Sequence, residues 1–399
     1  MECGSPLPLF GTSRNIAIPF RLLHLPGNSA CVAEKAGEGS STPKYSSLPV
    51  PDPVSQFQSL LKADVPHLSL APMQDVTDLP FMRLMHRYGG PDVFFTEYFR
   101  VHADSVLEKW ITPSITENDT GIPVVAQMIG NHIPSLVRTA KQLEKLNVAG
   151  IDLNLGCPAP VVYKKCAGGG LLREPKRVDG ILEALRDNVT THFTVKTRIG
   201  FADASVWDEM LEVFARHKID LLTVHGRTVK EMYRTEVHYD YIKMAIDALS
   251  CPVAANGNVY SAQKAADVIS ETGAAGLMIG RGAIRNPWLF SQIRDHREGR
   301  PAFVPSGRDV LGYIRDLYES VKPDHLIEEK YVQKMKKYMN FIGIGIEPTG
   351  EFLHQIRRAN TEKGFFEICE SFLDHDEPTP LEPFTPPLPK SDVMAGTHR

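Results

Sequence analysis

The chain has 399 residues, 42% of them hydrophobic and 23% charged, with a formal net charge of −4. That balance excludes binding of nucleic acid by global basicity and leaves room only for a local basic patch, and no apolar run reaches the roughly 18 residues a membrane helix needs. The six cysteines form no CxxC pair and no His/Cys cluster of zinc spacing, so no metal site is expected, and scattered thiols fit a reducing compartment.

Residues 1–60 read as a disordered N-terminal extension. Residues 1–33 hold Arg14 and Arg21 but only one acid, Glu2. Such acid-poor composition leaves an organelle presequence and a plain extension equally open, with a cytoplasmic location expected otherwise. From about residue 66 short runs rich in Val, Ile and Leu alternate with longer amphipathic stretches. The runs are His67–Pro72, Asp92–Tyr98, Pro123–Ile129, Gly150–Gly156, Phe193–Gly200, Leu221–Arg227, Pro252–Asn258 and Gly276–Arg281. Between them Ile133–Leu146, Arg177–Asn188, Val206–His217, Tyr239–Leu249 and Ala262–Thr272 carry apolar residues at helical spacing. Eight strand–helix units in about 230 residues predict a (β/α)8 TIM barrel over 61–303. The first turn, Ala71 to Asp75, lacks the glycines of a doubly wound dinucleotide fold.

In such a barrel the strand C-termini carry the chemistry, and here nearly every one is polar. In chain order they offer Met73 and Gln74, then Glu97, Gln127, Asn154 with Cys157, Lys196 with Arg198, His225 with Arg227, Asn256-Gly257-Asn258, and Gly280-Arg281. Cys157 sits in a Gly156-Cys157-Pro158 turn at the end of the fourth strand. It reads either as a proton donor to a bound ligand or as a buried structural thiol. The loop after it holds Lys164, Lys165, Cys166 and three consecutive glycines. Ends seven and eight supply glycines for close backbone approach and Arg281 for charge, which reads either as a phosphate site or as turn glycines beside a solvated arginine. Lys196 inside the mouth needs an anionic partner, either a reduced flavin ring or a carboxylate such as Glu97.

Residues 304–374 read as a small C-terminal helical domain. Lys330, Lys334 and Lys337 form a stripe with Lys336 beside it, and Arg357 and Arg358 follow. A basic stripe tracks a phosphodiester backbone or simply faces water. Residues 375–399 are proline-rich and read as an extended, disordered tail.

The strings Asp152-Leu153-Asn154-Leu155-Gly156-Cys157-Pro158 and Lys196-Thr197-Arg198-Ile199-Gly200 are specific. Taken with Leu70-Ala71-Pro72-Met73, Gln127-Met128, His225-Gly226-Arg227, Asn256-Gly257-Asn258 and Gly280-Arg281, they resemble the tRNA-dihydrouridine synthase family. The resemblance covers roughly residues 66–300. It implies reduction of uridine in tRNA to 5,6-dihydrouridine, with bound FMN and NADPH as reductant, hydride passing from flavin N5 to C6 and a proton from Cys157 to C5. It assigns Pro72, Met73, Gln74 and Gln127 to the isoalloxazine, Lys196 and His225 to the flavin and ribityl groups, and Asn256, Gly257, Asn258, Gly280 and Arg281 to the phosphate. Asn154 would orient the uracil, and Arg198, Lys164 and Lys165 would meet the flanking phosphates. The implied partner is tRNA, and a monomer away from membranes is expected. The rivals are a dihydropyrimidine- or dihydroorotate-type FMN enzyme, a non-catalytic tRNA-binding protein, and an aldolase using Lys196.

Overall fold

The computed structural model describes residues 52–322, 327–380 and 382–384. The expectations placed on 1–51 and on 385–399 lie outside the described residues. Each of the eight apolar runs forms a strand: β1 (His67–Leu70), β2 (Val93–Phe95), β4 (Val124–Ile129), β5 (Gly150–Leu155), β6 (His192–Arg198), β7 (Leu221–His225), β8 (Val253–Asn256) and β9 (Gly276–Ile279). All pair in parallel in the order β2-β1-β9-β8-β7-β6-β5-β4, and a β2–β4 pairing closes the ring. The fold is therefore a (β/α)8 barrel with helices between its strands.

One run differs from its expected form. Asp92–Tyr98 breaks after Phe95, and the chain rejoins β4 as a two-residue strand, β3 (Phe99–Arg100), opposite Met128 and Ile129. The break lets side chains do what the ladder would have done. Thr96 Oγ1 accepts the Gln127 N–H at 3.0 Å, and Glu97 turns into the mouth.

The lower barrel interior is a dry cluster of Ala71, Val93, Phe95, Val125, Ala149, Leu221, Ala254 and Met278. Phe57 completes it from below. This corrects the N-terminal boundary, because residues 53–60, read as extension, belong to a helix, Pro53–Lys62. Asp52 caps that helix by accepting the Ser55 N–H at 3.0 Å, proline takes its first position, and the Phe57 ring meets His192 edge-on at 5.2 Å. A short amphipathic turn after a Pro- and Ser-rich stretch carries too little periodicity to stand out.

After the barrel, helices Gly307–Ser320, Glu328–Ile342, Glu351–Ile356 and Glu362–Leu373 pack on one another and on the barrel's flank. Phe81 stacks on Tyr338 at 5.8 Å, the Tyr313 hydroxyl donates to the Ile284 carbonyl at 2.8 Å, and Arg285 Nε donates to the Phe341 carbonyl at 3.0 Å. Lys334 and Lys337 reach Asp78 and Asp75 at the barrel mouth, at 3.5 and 3.4 Å. The start of the expected free tail also departs from expectation. Pro378 bridges to Ser306, and the Thr379 N–H donates to the Pro305 carbonyl at 2.8 Å, because the chain before Gly307 leaves an edge to pair. Among the described residues no helix is long and apolar enough to cross a membrane.

Replacing Phe57 by Ala empties the floor of the barrel. The expected cost is about 3 kcal/mol of unfolding free energy, read from denaturant midpoints. An unchanged midpoint would show that the helix does not support the barrel.

Candidate active site

The site is built upward from the middle layer of the barrel. Strand alternation and register set Gln127, Asp152 and Thr194 side by side on β4, β5 and β6. Asp152 is fully buried. Its two oxygens accept from the Thr194 hydroxyl at 2.6 Å and from Gln127 Nε2 at 2.7 Å. Gln127 Oε1 then accepts from Asn154 Nδ2 at 2.8 Å. Asn154 Oδ1 accepts the N–H groups of Gly156 and Cys157, at 3.0 and 2.9 Å. Four side chains thus hand one direction of hydrogen bonding from the barrel's interior to the turn that carries the thiol. Burial pushes Asp152 up to about 6, while its two donors pull the other way. Burial also pushes the Cys157 thiol up, and Tyr98, hydrogen-bonded to the sulfur, and the charges of Arg198 and Lys196 oppose it.

A cationic wall stands across the mouth. Lys196 Nζ donates to Asn256 Oδ1 at 2.9 Å, and Asn256 Nδ2 is tied to the Met278 carbonyl at 2.7 Å. Lys196 therefore takes neither Glu97 nor another carboxylate as its contact. Burial, with Arg198 nearby, lowers its amine to about 8. His225 lies behind it. Arg227 Nη1, which can only donate, points at His225 Nε2 at 3.2 Å, so the imidazole carries its proton on Nδ1. Burial and the surrounding cations hold that ring well below its ordinary pKa, hence neutral. Arg281 touches Asn258 Oδ1 at 3.4 Å and covers the half-exposed Tyr233 ring at 4.5 Å. Gly257 needs its glycine twice over, with φ of +131° and no room for a Cβ beside Val237. None of Lys196, Arg198, Arg227 and Arg281 forms an ion pair with a carboxylate among the described residues.

The opposite side of the mouth is acidic. After β1 the chain turns through Pro72, Met73 and Gln74, and the Met73 sulfur comes up beside Gly280. Gln74 Nε2 donates to Glu97 at 2.8 Å, as does the Val76 N–H at 3.1 Å, while the buried Gln74 Oε1 has no partner.

Two expected substrate contacts are otherwise engaged. Arg198 is buried and directs its guanidinium to the carbonyls of Gly156, Thr228 and Met232, at 3.0, 2.9 and 2.8 Å. It locks the cysteine turn to the loop after β7. Asn154 has committed its oxygen to that same turn. Lys164 and Lys165 are exposed on the loop after Cys157. Reading strand ends alone misses Asp152, Thr194, Tyr98 and Tyr233. The alternation that puts Asn154 inward puts Asp152 inward too, which is the available signal for that residue.

Burial, with the charges of Asp78 and Asp75 beside it, pushes the Glu97 carboxyl up to about 7. The folded state then holds an extra proton between the ordinary value of 4.5 and about 7, so ionisation of Glu97 costs stability as pH rises through that window. Glu97→Gln keeps an acceptor for Val76, and its amide N–H meets the Gln74 oxygen once the Gln74 amide turns over, since Gln74 Nε2 now donates to the second Glu97 oxygen. Its unfolding free energy is expected to gain about 2 kcal/mol on the parent between pH 5 and pH 8, measured by denaturant titration. A variant that instead loses ground as pH rises would contradict the assignment.

A model of the dihydrouridine synthase family matches residues 69–375. The chain is 30% identical over 311 residues to a tRNA-dihydrouridine(16) synthase of Neisseria meningitidis, covering 76% of this chain and 93% of that one. It is 30% identical over 326 residues to a probable tRNA-dihydrouridine synthase of Rickettsia conorii, covering 80% and 97%. To the tRNA-dihydrouridine synthase B of Vibrio parahaemolyticus it is 38% identical over 265 residues, covering 63% and 80%. With the closed barrel and the thiol-bearing turn at its mouth, these matches show that the chain belongs to the dihydrouridine synthase family.

Proposed function

We propose that this chain reduces a uridine of tRNA to 5,6-dihydrouridine, using FMN seated across the barrel mouth and NADPH as the source of electrons. The observation that carries the reading is the pairing of a neutral, half-buried thiol with a wall of cations that has no carboxylate partner among the described residues. Four cations without a carboxylate make a site that takes an anion, and the phosphate of FMN fits it at Arg281, Asn258 and Gly257. The buried, unpartnered Gln74 oxygen fits a ring N–H of the flavin. Lys196, buried and without a carboxylate contact, would offer its ammonium to negative charge on the ring.

When bound, reduced FMN supplies the hydride that adds at C6 of the uracil. The residues of this chain do the rest. A stacked uridine cannot reach the barrel interior, so it leaves the stack and enters the mouth. Cys157 holds its proton at neutral pH because burial raises its pKa, which suits a general acid. It delivers that proton to C5, and the hydride and proton together saturate the C5–C6 bond. The thiolate left behind faces Lys196 and Arg198, whose charges stabilise it, and the Tyr98 hydroxyl hydrogen-bonds to it. Asn154 acts through the turn it holds rather than through the base. The described cysteines are all free thiols, which suits a cytoplasmic tRNA enzyme.

Cys157→Ala is expected to purify with its yellow flavin absorption intact and to lose about a hundredfold or more of uridine reduction. Normal reduction by that variant would refute the general-acid role. Lys196→Ala is expected to release flavin more readily on dilution. The deciding experiment is a map of dihydrouridine in tRNA from cells lacking the gene, where one position should be unmodified. Turnover of free uracil or dihydroorotate with tRNA untouched would replace the substrate.

A further inference from the structure

Reduction of uridine leaves one proton to be supplied. NADPH brings only hydride, so each turnover takes the proton of Cys157, and solvent must return one before the next. Few groups face the sulfur: the Ala159 N–H, the Tyr98 hydroxyl, and the charges of Arg198 and Lys196. Among the described residues no carboxylate or imidazole hydrogen-bonds to it. Arg198 gives up no proton near neutral pH and is held by three carbonyls, and the Lys196 ammonium is directed to Asn256. A backbone N–H is no acid. The Tyr98 hydroxyl alone can give a proton to the sulfur and accept another in its place.

The placement of Tyr98 follows from the strand break after Phe95. Beyond the break Arg100 stands opposite Ile129, and Ile129 and Cys157 close on Gly168 so tightly that no side chain fits there. The end of β3 is thereby brought beside the thiol turn. Tyr98 is half-buried and Arg100 is exposed. The Arg100 guanidinium lies 5.6 Å from the centre of the Tyr98 ring and hydrogen-bonds to its hydroxyl. A line of contacts therefore runs from water, past a guanidinium and a phenol, to the sulfur.

We propose that Tyr98 is the proton relay of this site. Water on the Arg100 side gives a proton to the phenol oxygen as the phenol O–H gives its own to the Cys157 thiolate. An S–H bond forms, an O–H bond of water breaks, and hydroxide is left to the solvent. The proposal rests on the uridine-reduction reading above. Burial and the neighbouring thiol hold the phenol protonated, so the two transfers are concerted and no phenolate forms. Arg100 keeps its own protons and holds the phenol oxygen in line.

The test uses the full flavin-loaded chain and tRNA from cells lacking the gene. Uridine reduction is timed without oxygen, first for one turnover of pre-reduced flavin and then for many turnovers with excess NADPH. Tyr98→Phe keeps the ring and removes the relay. Its first turnover uses the proton already on Cys157 and is expected to stay within about twofold of the parent. Later turnovers are expected to slow about tenfold or more, with flavin content unchanged, and added imidazolium, a small diffusible acid, should restore much of the loss. Alkylation of Cys157 by iodoacetamide, followed against pH on its own peptide by mass spectrometry, should show the thiol pKa rising by about 1, because the thiolate loses a hydrogen bond. First and later turnovers that fall together without rescue would mean that Tyr98 only shapes the pocket, and the relay would be overturned. Turnover and thiol pKa both unchanged, beside an active parent, would overturn the relay alone. A parent that reduces no uridine in tRNA would instead sink the reaction, and the relay with it.

Discussion

The site depends on a carboxylate that can only accept. Asp152 takes hydrogen bonds from Thr194 and Gln127, and that leaves Gln127 no choice but to offer its oxygen to Asn154. Asn154 must then donate there and accept from the Cys157 turn. In a dry barrel layer every reversal of an amide would set donor against donor, and a buried unpaired donor costs about 1–3 kcal/mol. One ionisable group, two amides and a turn therefore behave as a single unit. Burial opposes this arrangement by raising Asp152 to about 6, and the two donors offset part of that penalty.

Above this layer the mouth is electrically divided. Lys196, Arg198, Arg227 and Arg281 line one side, and Asp75, Asp78 and Glu97 the other. The division serves two attachments at once. The cationic side is open to an anionic ligand, while the acidic side takes Lys334 and Lys337 from the helical segment. The carboxylates of the acidic side are thus engaged by lysines of the helical segment and not by the cationic wall.

Much of this is legible in the order of residues alone. The eight strands stand out as apolar runs because a parallel barrel buries both faces of each strand. The polar residues at their ends stand out because core strands do not require them. Partner choice across sequence distance is not legible in that way. Lys196 meets Asn256 sixty residues away, and Arg198 meets the carbonyls of Gly156, Thr228 and Met232, whose positions follow only from closure of the ring. A backbone carbonyl also has no sequence identity, so an arginine that binds three of them looks the same as one that faces water. The strand break after Phe95 is hidden for a related reason, because a threonine side chain replaces a ladder bond.

The surroundings of Cys157 combine two demands that normally conflict. An acid must keep its proton until the moment of transfer, and its anion must then be tolerated. Burial alone would satisfy the first and penalise the second. Cations alone would release the proton early, as they do for nucleophilic thiols. Here burial dominates in the resting site and the thiol pKa stays raised. Arg198 is held by three carbonyls and Lys196 by Asn256, so neither can swing in to form a direct pair with the sulfur. Their charge acts from fixed positions and needs no rearrangement when the thiolate forms, which is the condition under which electrostatic stabilisation contributes most to a rate.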